Sequence, residues 1–300
     1  MRIEEYLQER AALVERALAK ILGELGERQG GTEPRLLEAM EYSLASPGKR
    51  IRPILALAAA EAVGAPIAPV LPFACAIEMV HTYSLIHDDL PAMDDDDMRR
   101  GRPANHKVFG DGIAILAGDA LLTEAFALMS RESAAAGPPA EQRLAAIQEL
   151  AAAAGAGGMV GGQTADLLAE GAAAEIGEVE SIHRRKTGAL LRASVRIGAL
   201  IGGASTEAST ALSRYGESIG FAFQVADDVL DEIGDTEATG KSSRRDRARG
   251  KSTVPGLLGV ERSRSLLRDL LDRGLGALSG FGTNADPLRE IARIIVARAL

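Results

Sequence analysis

The chain of 300 residues has one cysteine, no tryptophan and only 3% aromatic residues. The single cysteine, Cys75, excludes an internal disulfide and is typical of a reducing compartment. No uninterrupted run of about 18 apolar residues occurs, and the charged N-terminal segment lacks the apolar core of a secretory signal. We therefore expect a cytoplasmic protein without a membrane span. The formal net charge of −8 disfavours general nucleic-acid binding.

Apolar residues, by contrast, make up 46% of the sequence, enough for a large core. They recur at helical spacing, and prolines and glycines separate the helical segments. Strand-like alternation is almost absent, and we find no internal repeat and no long linker. The sequence predicts one all-α domain over residues 1–300, a bundle of ten or more helices. The predicted segments are 3–22, 34–44, one ending near 63, 73–89, 112–133, 140–169, 175–185, 187–203, 206–233, and two or three helices within 256–300.

An acidic cluster follows the helix predicted over 73–89. Six aspartates fall between Asp88 and Asp97, and Arg99 and Arg100 come directly after them. Carboxylates at such short range raise one another's pKa values unless water, arginines or cations compensate them. Mg²⁺ bridged to a phosphate-bearing ligand, with arginines on the remaining phosphate oxygens, fits this pattern. A solvated acidic loop is the alternative for an acidic run taken alone.

Pro91 interrupts this cluster. On an uninterrupted helix Asp88 and Asp94 would lie roughly 120° apart around the axis. Because proline pushes the preceding residue out of the α region, the helix should end or kink before it. We expect the broken helix end to fold Asp94 back toward Asp88.

A second acidic cluster lies at the end of the apolar helix predicted over 206–233. Asp227 and Asp231 are four residues apart and share a helix face, and Asp228 lies beside them. The signs of charge do not alternate on this face, as they would on a solvated, salt-bridged surface. Two such clusters, each ending an apolar helix and each followed by basic residues, indicate a multi-metal site between facing helices.

These residues resemble the motifs of the trans-isoprenyl diphosphate synthases, in particular the bacterial farnesyl diphosphate synthase branch. Asp88-Asp89-x-x-x-x-Asp94 resembles the first aspartate-rich motif of that family and Asp227-Asp228-x-x-Asp231 the second. Further matches follow in family order: Gly48-Lys49-Arg50-x-Arg52-Pro53, Gly161-Gly162-Gln163, Lys186-Thr187-Gly188 and Phe223-Gln224. The resemblance covers essentially the whole chain and implies an all-α isoprenoid synthase fold around a deep central cavity.

The activity implied by the resemblance is condensation of isopentenyl diphosphate with dimethylallyl or geranyl diphosphate to farnesyl diphosphate, in a homodimer. Three Mg²⁺ ions would neutralise the leaving diphosphate as Lewis acids. Their implied ligands are Asp88, Asp94, Asp227, Asp228 and Asp231. The residues implied to bind the allylic diphosphate are Arg99, Lys186, Lys241 and Lys251. Those implied to bind the diphosphate of isopentenyl diphosphate are Lys49, Arg52, His81 and Arg100.

The remaining implied roles concern the carbocation and the product. Thr187 and Gln224 would turn dipoles toward the allylic cation, and the 234–250 loop would close as a lid. Tyr83 and Ser84, one turn beneath Asp88, would limit product length. Four of the residues with implied roles also have a purely structural interpretation. Lys241 and Lys251 would be part of a solvated loop, His81 a structural histidine, and Tyr83 a packed core aromatic.

Two departures from the family pattern stand out. The stretch after Lys241 is unusually basic, and the chain ends without the basic tail of many relatives. Three other functions stay open. A geranylgeranyl diphosphate synthase would have a deeper tunnel, and a class I terpene cyclase would not need the pocket of Lys49 and Arg52. A non-catalytic partner subunit or an acidic Ca²⁺-binding protein would have no reason to keep both clusters and the basic positions together.

Overall fold

The computed structural model describes residues 2–27, 31–131, 137–171, 174–234 and 251–300. Regular structure in these ranges is helical except for one two-residue antiparallel hairpin, β1 (Met98–Arg99) with β2 (Arg102–Pro103). The predicted all-α class is confirmed. The helices are α1 (Ile3–Gly26), α2 (Pro34–Leu44), α3 (Ile51–Ala62), α4 (Leu71–Asp88), α5 (Asn105–Phe109), α6 (Asp111–Ser130), α7 (Ala140–Ala154), α8 (Met159–Ala169), α9 (Ile176–His183), α10 (Ala189–Ile201), α11 (Thr206–Ile233), α12 (Val254–Leu258), α13 (Val260–Ala277) and α14 (Asp286–Ala297).

Helix boundaries follow the local sequence closely. Pro34 opens α2, as its fixed φ and missing N–H favour. The Ser205 side chain caps α11 by accepting a hydrogen bond from the N–H of Ala208 at 3.2 Å. The same helix ends at Gly234, whose φ of 80° is the left-handed conformation that glycine tolerates. Caps and breakers therefore explain why the predicted bounds agree so well here.

The prediction of one long helix over 140–169 is wrong. The chain forms α7 and α8, separated by residues 155–158. A Cβ placed on Gly158 would lie 2.1 Å from the carbonyl oxygen of Ala153, so only glycine fits this turn. The glycines thus mark a break between two helices, and this break positions the start of α8.

The core forms around helices that are buried on most sides. Helix α4 packs along α6, and α10 packs against α3, α4 and α11. The two helices that end in the acidic clusters, α4 and α11, therefore both pack on α10. Cys75, on α4, is fully buried, and burial raises the pKa of its thiol to about 12.

Two segments are long and apolar enough, by length and composition, to cross a membrane: Asp111–Ser130 and Ala140–Ala169. Core helices of water-soluble proteins meet the same criterion, so two such segments are weak evidence. The second segment is also divided by the break after Ala154. The expected absence of a membrane span stays a prediction.

Candidate active site

The first acidic motif (Asp88, Asp89 and Asp94) lies where α4 ends and the chain folds back. The N–H of Asp94 donates to the carbonyl oxygen of Asp88 at 2.8 Å, and that of Asp96 donates to Asp89 at 3.2 Å. These bonds replace the helical pattern that Pro91 interrupts. The predicted return of the chain at Asp94 toward Asp88 is confirmed.

Asp88 is an electrostatically strained carboxylate. Burial, with a further contribution from Asp94 and Asp89, raises its pKa to about 6, although Lys186 and Arg99 act in the opposite direction. Its charged form is therefore unfavourable in the absence of a cation. Carboxylate oxygens whose negative charge is not fully compensated are suitable ligands for Mg²⁺, which prefers hard oxygen ligands.

Arg99 is held by two of the neighbouring aspartates. Its Nε lies 2.9 Å and 3.1 Å from the two carboxylate oxygens of Asp89, and its Nη2 contacts Asp89 and lies 3.5 Å from Asp96. Both carboxylates are buried. Asp89 and Asp96 therefore orient a guanidinium, a role that the sequence did not reveal for Asp96.

The second acidic motif (Asp227, Asp228 and Asp231) lies in the last two turns of α11. Asp227 is half-buried, and the Nη1 atom of Arg298 lies 3.3 Å from its Oδ1. Sequence reasoning missed Arg298, since a lone arginine near the chain end does not resemble a basic tail. The structure nevertheless places a guanidinium from the C-terminus at this motif.

Asp228 differs from Asp227, because both of its oxygens have protein partners. Its Oδ1 accepts from Gln224 Nε2 at 3.0 Å, and its Oδ2 accepts from the N–H of Val254 at 3.1 Å and pairs with His183 Nε2 at 2.8 Å. The side chain is only 3% exposed. This geometry favours a supporting position for Asp228, and its role as a metal ligand stays a prediction.

A π-helical turn, Arg184–Gly188, joins α9 to α10 and carries two predicted site residues. Such turns widen a helix locally and occur often at functional sites. The Thr187 hydroxyl in this turn donates to Gln224 Oε1 at 2.9 Å. The structure thus brings together the two residues that we expected to face the allylic cation.

Gly162 on α8 lies directly against this turn. A Cβ at this position would lie 2.2 Å from the backbone nitrogen of Lys186. We expect Gly162→Ala to displace the turn, to lower the free energy of unfolding by about 1–3 kcal/mol, and to reduce turnover. Thermal unfolding and steady-state kinetics measure the two effects. Gly157→Ala is the matched control, since a Cβ added there would have no atom within 4 Å; equal losses in both variants would contradict the prediction.

Lys186 and Lys251 share a carboxylate that sequence reasoning missed. Asp166 Oδ2 lies 2.7 Å from the ammonium of Lys186 and 3.0 Å from that of Lys251. Lys251 also lies 3.8 Å from Asp94 Oδ1. Burial alone would raise the pKa of Asp166, but the two ammonium groups hold it below its usual value. The only hint in the sequence was its position, four residues after Gly162 on the same helix face.

Two of the residues predicted to form the basic pocket for the second substrate, Arg52 and His81, are in contact. Arg52 Nη1 lies 3.1 Å from His81 Nε2. Burial lowers the pKa of Arg52 to about 10, and burial together with Arg52 and Arg100 lowers the pKa of His81 well below its usual value. His81 is therefore neutral at pH 7. Lys49 is exposed as a whole residue, but partial burial of its ammonium and the nearby Arg298 lower its pKa.

The loop before α3 supports this pocket through Arg50. This side chain is buried, donates to Glu78 at 2.8 Å, and also donates to the carbonyl oxygens of Leu44 and Ser46 at 2.8 Å and 3.0 Å. Arg100 has a left-handed backbone with φ of 53°. The buried ion pair of Arg50 fixes the loop from which Lys49 and Arg52 extend.

Tyr83 and Ser84 lie one turn before Asp88, as expected. Tyr83 is buried, and its ring meets that of His87 edge-on with a centroid distance of 5.6 Å. Burial and the charge of Asp88 raise the pKa of Tyr83. The Ser84 hydroxyl donates to the carbonyl oxygen of His81 at 2.8 Å. Lys241 and residues 235–250 of the predicted lid lie outside the described residues.

Comparison with known proteins gives consistent matches over most of the chain. The family model described as polyprenyl synthetase matches residues 33–279. Farnesyl diphosphate synthase of Geobacillus stearothermophilus is 45% identical over 296 residues, covering 99% of this chain and 98% of that protein. Chloroplastic geranylgeranyl pyrophosphate synthase 12 of Arabidopsis thaliana is 46% identical, covering 87% and 73%. The crystal structure of an FPP/GFPP synthase from Zymomonas mobilis superposes with a TM-score of 0.85 at 38% identity, covering 98% of both chains.

Proposed function

The chain belongs to the polyprenyl synthetase family, and we propose that it is a short-chain trans-prenyltransferase that makes farnesyl diphosphate. One observation carries the proposal: a series of polar contacts connects the two acidic motifs. From Asp94 it passes to Lys251, Asp166 and Lys186, and from Thr187 in the same turn to Gln224 and Asp228. Cationic groups next to both carboxylate motifs are what a metal-bound diphosphate requires.

The first substrate in this proposal is an allylic diphosphate. Mg²⁺, as three ions on Asp88, Asp94 and Asp227 with Asp228 and Asp231 beside them, would supply Lewis-acid neutralisation of the leaving group. Lys186, Lys251 and Arg99 bind the same diphosphate through charge-assisted hydrogen bonds. We assign Lys241 to this group as well, on the family resemblance. These residues would hold the leaving group while the carbon–oxygen bond breaks.

Isopentenyl diphosphate must keep its own diphosphate, so it requires a basic pocket without metal. We assign Lys49, Arg52, His81 and Arg100 to that pocket; Arg52 contacts His81, and Arg298 is near enough to Lys49 to lower its pKa. The Thr187 hydroxyl and the Gln224 oxygen point partial negative charge toward the allylic cation without acting as nucleophiles. No protein base is needed, because the released pyrophosphate can take the proton.

The wider setting is part of the same proposal. We assign residues 1–300 to one polyprenyl synthase domain that works in the cytoplasm as a homodimer, without a membrane span and without nucleic acid as a partner. The family match over residues 33–279 supports the single domain, and the single buried cysteine supports a reducing compartment such as the cytoplasm. Size-exclusion chromatography with light scattering tests the dimer directly.

Product analysis tests the activity. The purified chain is incubated with isopentenyl diphosphate and either dimethylallyl or geranyl diphosphate, with Mg²⁺ or with EDTA. We expect a fifteen-carbon diphosphate that forms only with the metal. Hydrocarbon products from farnesyl diphosphate alone would indicate a terpene cyclase, and a failure to condense under every condition would contradict the proposal.

A second candidate is synthesis of the twenty-carbon product, because relatives of similar identity are named geranylgeranyl pyrophosphate synthases. Tyr83, buried one turn beneath Asp88, decides between the two if it blocks the end of the tunnel. We expect Tyr83→Ala to shift the main product to twenty carbons or longer, measured by chromatography of the dephosphorylated alcohols. Tyr83→Phe, which keeps the ring, should retain the fifteen-carbon product. An unchanged product in Tyr83→Ala would remove Tyr83 from this role.

A further inference from the structure

The outer side of the acidic loop carries a group of metal-ligating side chains that the proposed reaction does not use. Asp95, Asp97 and His106 each offer one ligand atom, and these atoms lie within 4.8 Å of one another. The two aspartates are exposed, whereas His106 is only 5% exposed. None of the three belongs to the first or the second acidic motif.

His106 gives independent evidence for a ligand at this position. Both of its ring nitrogens are buried, and neither has a hydrogen-bond partner among the residues that the structure describes. A buried polar group without a partner destabilises the folded state, so each such group calls for an explanation. A metal ion would give one of these two nitrogens a partner, and neutral imidazole is the commonest protein ligand for metals.

The backbone holds the two aspartates at this position. Asp95 has a φ of 48°, and its N–H donates to the carbonyl oxygen of Leu90 at 3.1 Å. Asp97 pairs with the ammonium of Lys107 at 2.7 Å, but both side chains are exposed to solvent. An exposed ion pair of this kind contributes little to the stability of the folded protein. A divalent cation can therefore replace Lys107 at the Asp97 carboxylate.

We propose that Asp95, Asp97 and His106 bind a divalent first-row transition cation such as Mn²⁺ or Zn²⁺, separately from the Mg²⁺ ligands of the two acidic motifs. One imidazole with two carboxylates is a mixed donor set that favours these ions over Mg²⁺. Ligand atoms around one tetrahedral ion lie about 3.4 Å apart, so the three side chains need only small rotations.

The proposed ion would join the two ends of segment 95–106. This segment contains the hairpin of β1 and β2, with Arg99 at the end of β1 and Arg100 in the turn. A cation on its ends would close the segment into a fixed loop and so limit the movement of both arginines. The proposal goes beyond the proposed function and does not depend on it, since the ion would bind in the absence of any substrate.

Pulsed electron paramagnetic resonance of Mn²⁺ tests the site. Mn²⁺ is added to the full chain after removal of metals, without diphosphate, and ¹⁴N coupling from a directly bound imidazole is measured. We expect coupling in the wild type and in the double variant Asp88→Ala/Asp227→Ala, and its loss in His106→Gln. No ¹⁴N coupling in the wild type, or persistent coupling in His106→Gln, would overturn the proposal.

Replacement of a buried histidine can also disturb folding, so an exposed ligand provides the second test. Asp97→Asn leaves the imidazole in place, and we expect its Mn²⁺ dissociation constant to rise about tenfold or more. Asp111→Asn, a nearby exposed carboxylate outside the group, is the matched control and should bind like the wild type. Equal affinity in Asp97→Asn and the wild type would contradict the assignment. Condensation activity is assayed separately, so failure of the proposed function leaves this test intact.

Discussion

Replacing Asp88 by alanine should lower the rate of condensation by about 10²–10³-fold, and Asp227→Ala should do the same. Each change removes a carboxylate that we propose to hold Mg²⁺ against the leaving diphosphate. Without that metal the developing negative charge on the leaving group is not neutralised, and the allylic cation does not form. Single-turnover kinetics at saturating Mg²⁺ measure the chemical step directly.

The stability of Asp88→Ala should change in the opposite direction from its activity. The folded-state pKa of Asp88, about 6, lies above its usual value, so its charged form destabilises the metal-free protein at neutral pH. This destabilisation is fully present above pH 6 and disappears as the pH falls toward 4. We therefore expect the metal-free variant to melt at a higher temperature than the wild type at pH 8, and the difference to shrink at pH 5.

Asp269→Ala is the control for both measurements, because Asp269 is an exposed carboxylate on α13. It should leave the rate and the melting temperature unchanged. A near-wild-type rate in Asp88→Ala or in Asp227→Ala would remove that residue from the metal site. A fall in the melting temperature of Asp88→Ala at pH 8 would contradict the electrostatic account of the first acidic motif.

Asp166→Asn should raise the KM for the allylic diphosphate and lower kcat/KM by about 10–100-fold, because two lysines lose the carboxylate that orients them. Lys186 and Lys251 both contact one oxygen of Asp166. Asparagine keeps the shape of the side chain but removes its negative charge. The two largely buried ammonium groups then lose the carboxylate that they share. The KM for isopentenyl diphosphate should change much less, since its predicted pocket does not include these lysines.

The same variant should also be less stable, by about 1–3 kcal/mol at pH 7. The pKa of Asp166 is below its usual value, so its contribution is present above pH 4 and is lost as the pH falls through the folded-state pKa. Glu170→Gln is the matched control, because Glu170 lies 3.5 Å from Lys251 and, among the described residues, forms no ion pair with Lys186. Equal KM values for the allylic substrate in Asp166→Asn and the wild type would show that Asp166 does not position the lysines.

The sequence predicted most of the helices because their signals are local. Pro34 and Ser205 mark helix starts, and Gly234 marks a helix end, through interactions within one turn. The break between α7 and α8 was not predictable in the same way, since glycines in a helix-like segment are compatible with a kink, a close contact or a break. The hairpin of β1 and β2 has only two residues in each strand, too few for an alternating pattern.

The candidate site was predictable where its residues stand in clusters or match family motifs. Asp166 and Arg298 belong to neither class. Asp166 meets Lys251 only after 85 positions of chain, and Arg298 meets Asp227 across α11 and the C-terminal helix. Such contacts depend on how helices pack, and no short-range pattern reports them. The different environments of two carboxylates were not predictable either: the charged form of Asp88 is unfavourable, whereas both oxygens of Asp228 are hydrogen-bonded.

The burial of Cys75 makes this protein a convenient background for fluorescent labelling. Its thiol is inaccessible and stays protonated, so thiol-reactive dyes should leave the native chain unmodified. A cysteine introduced at an exposed position, such as Leu168→Cys on α8, would then be the single labelled residue. Because Leu168 is 80% exposed and lies two positions from Asp166 on α8, a dye there would label the neighbourhood of the proposed site without altering any of its side chains.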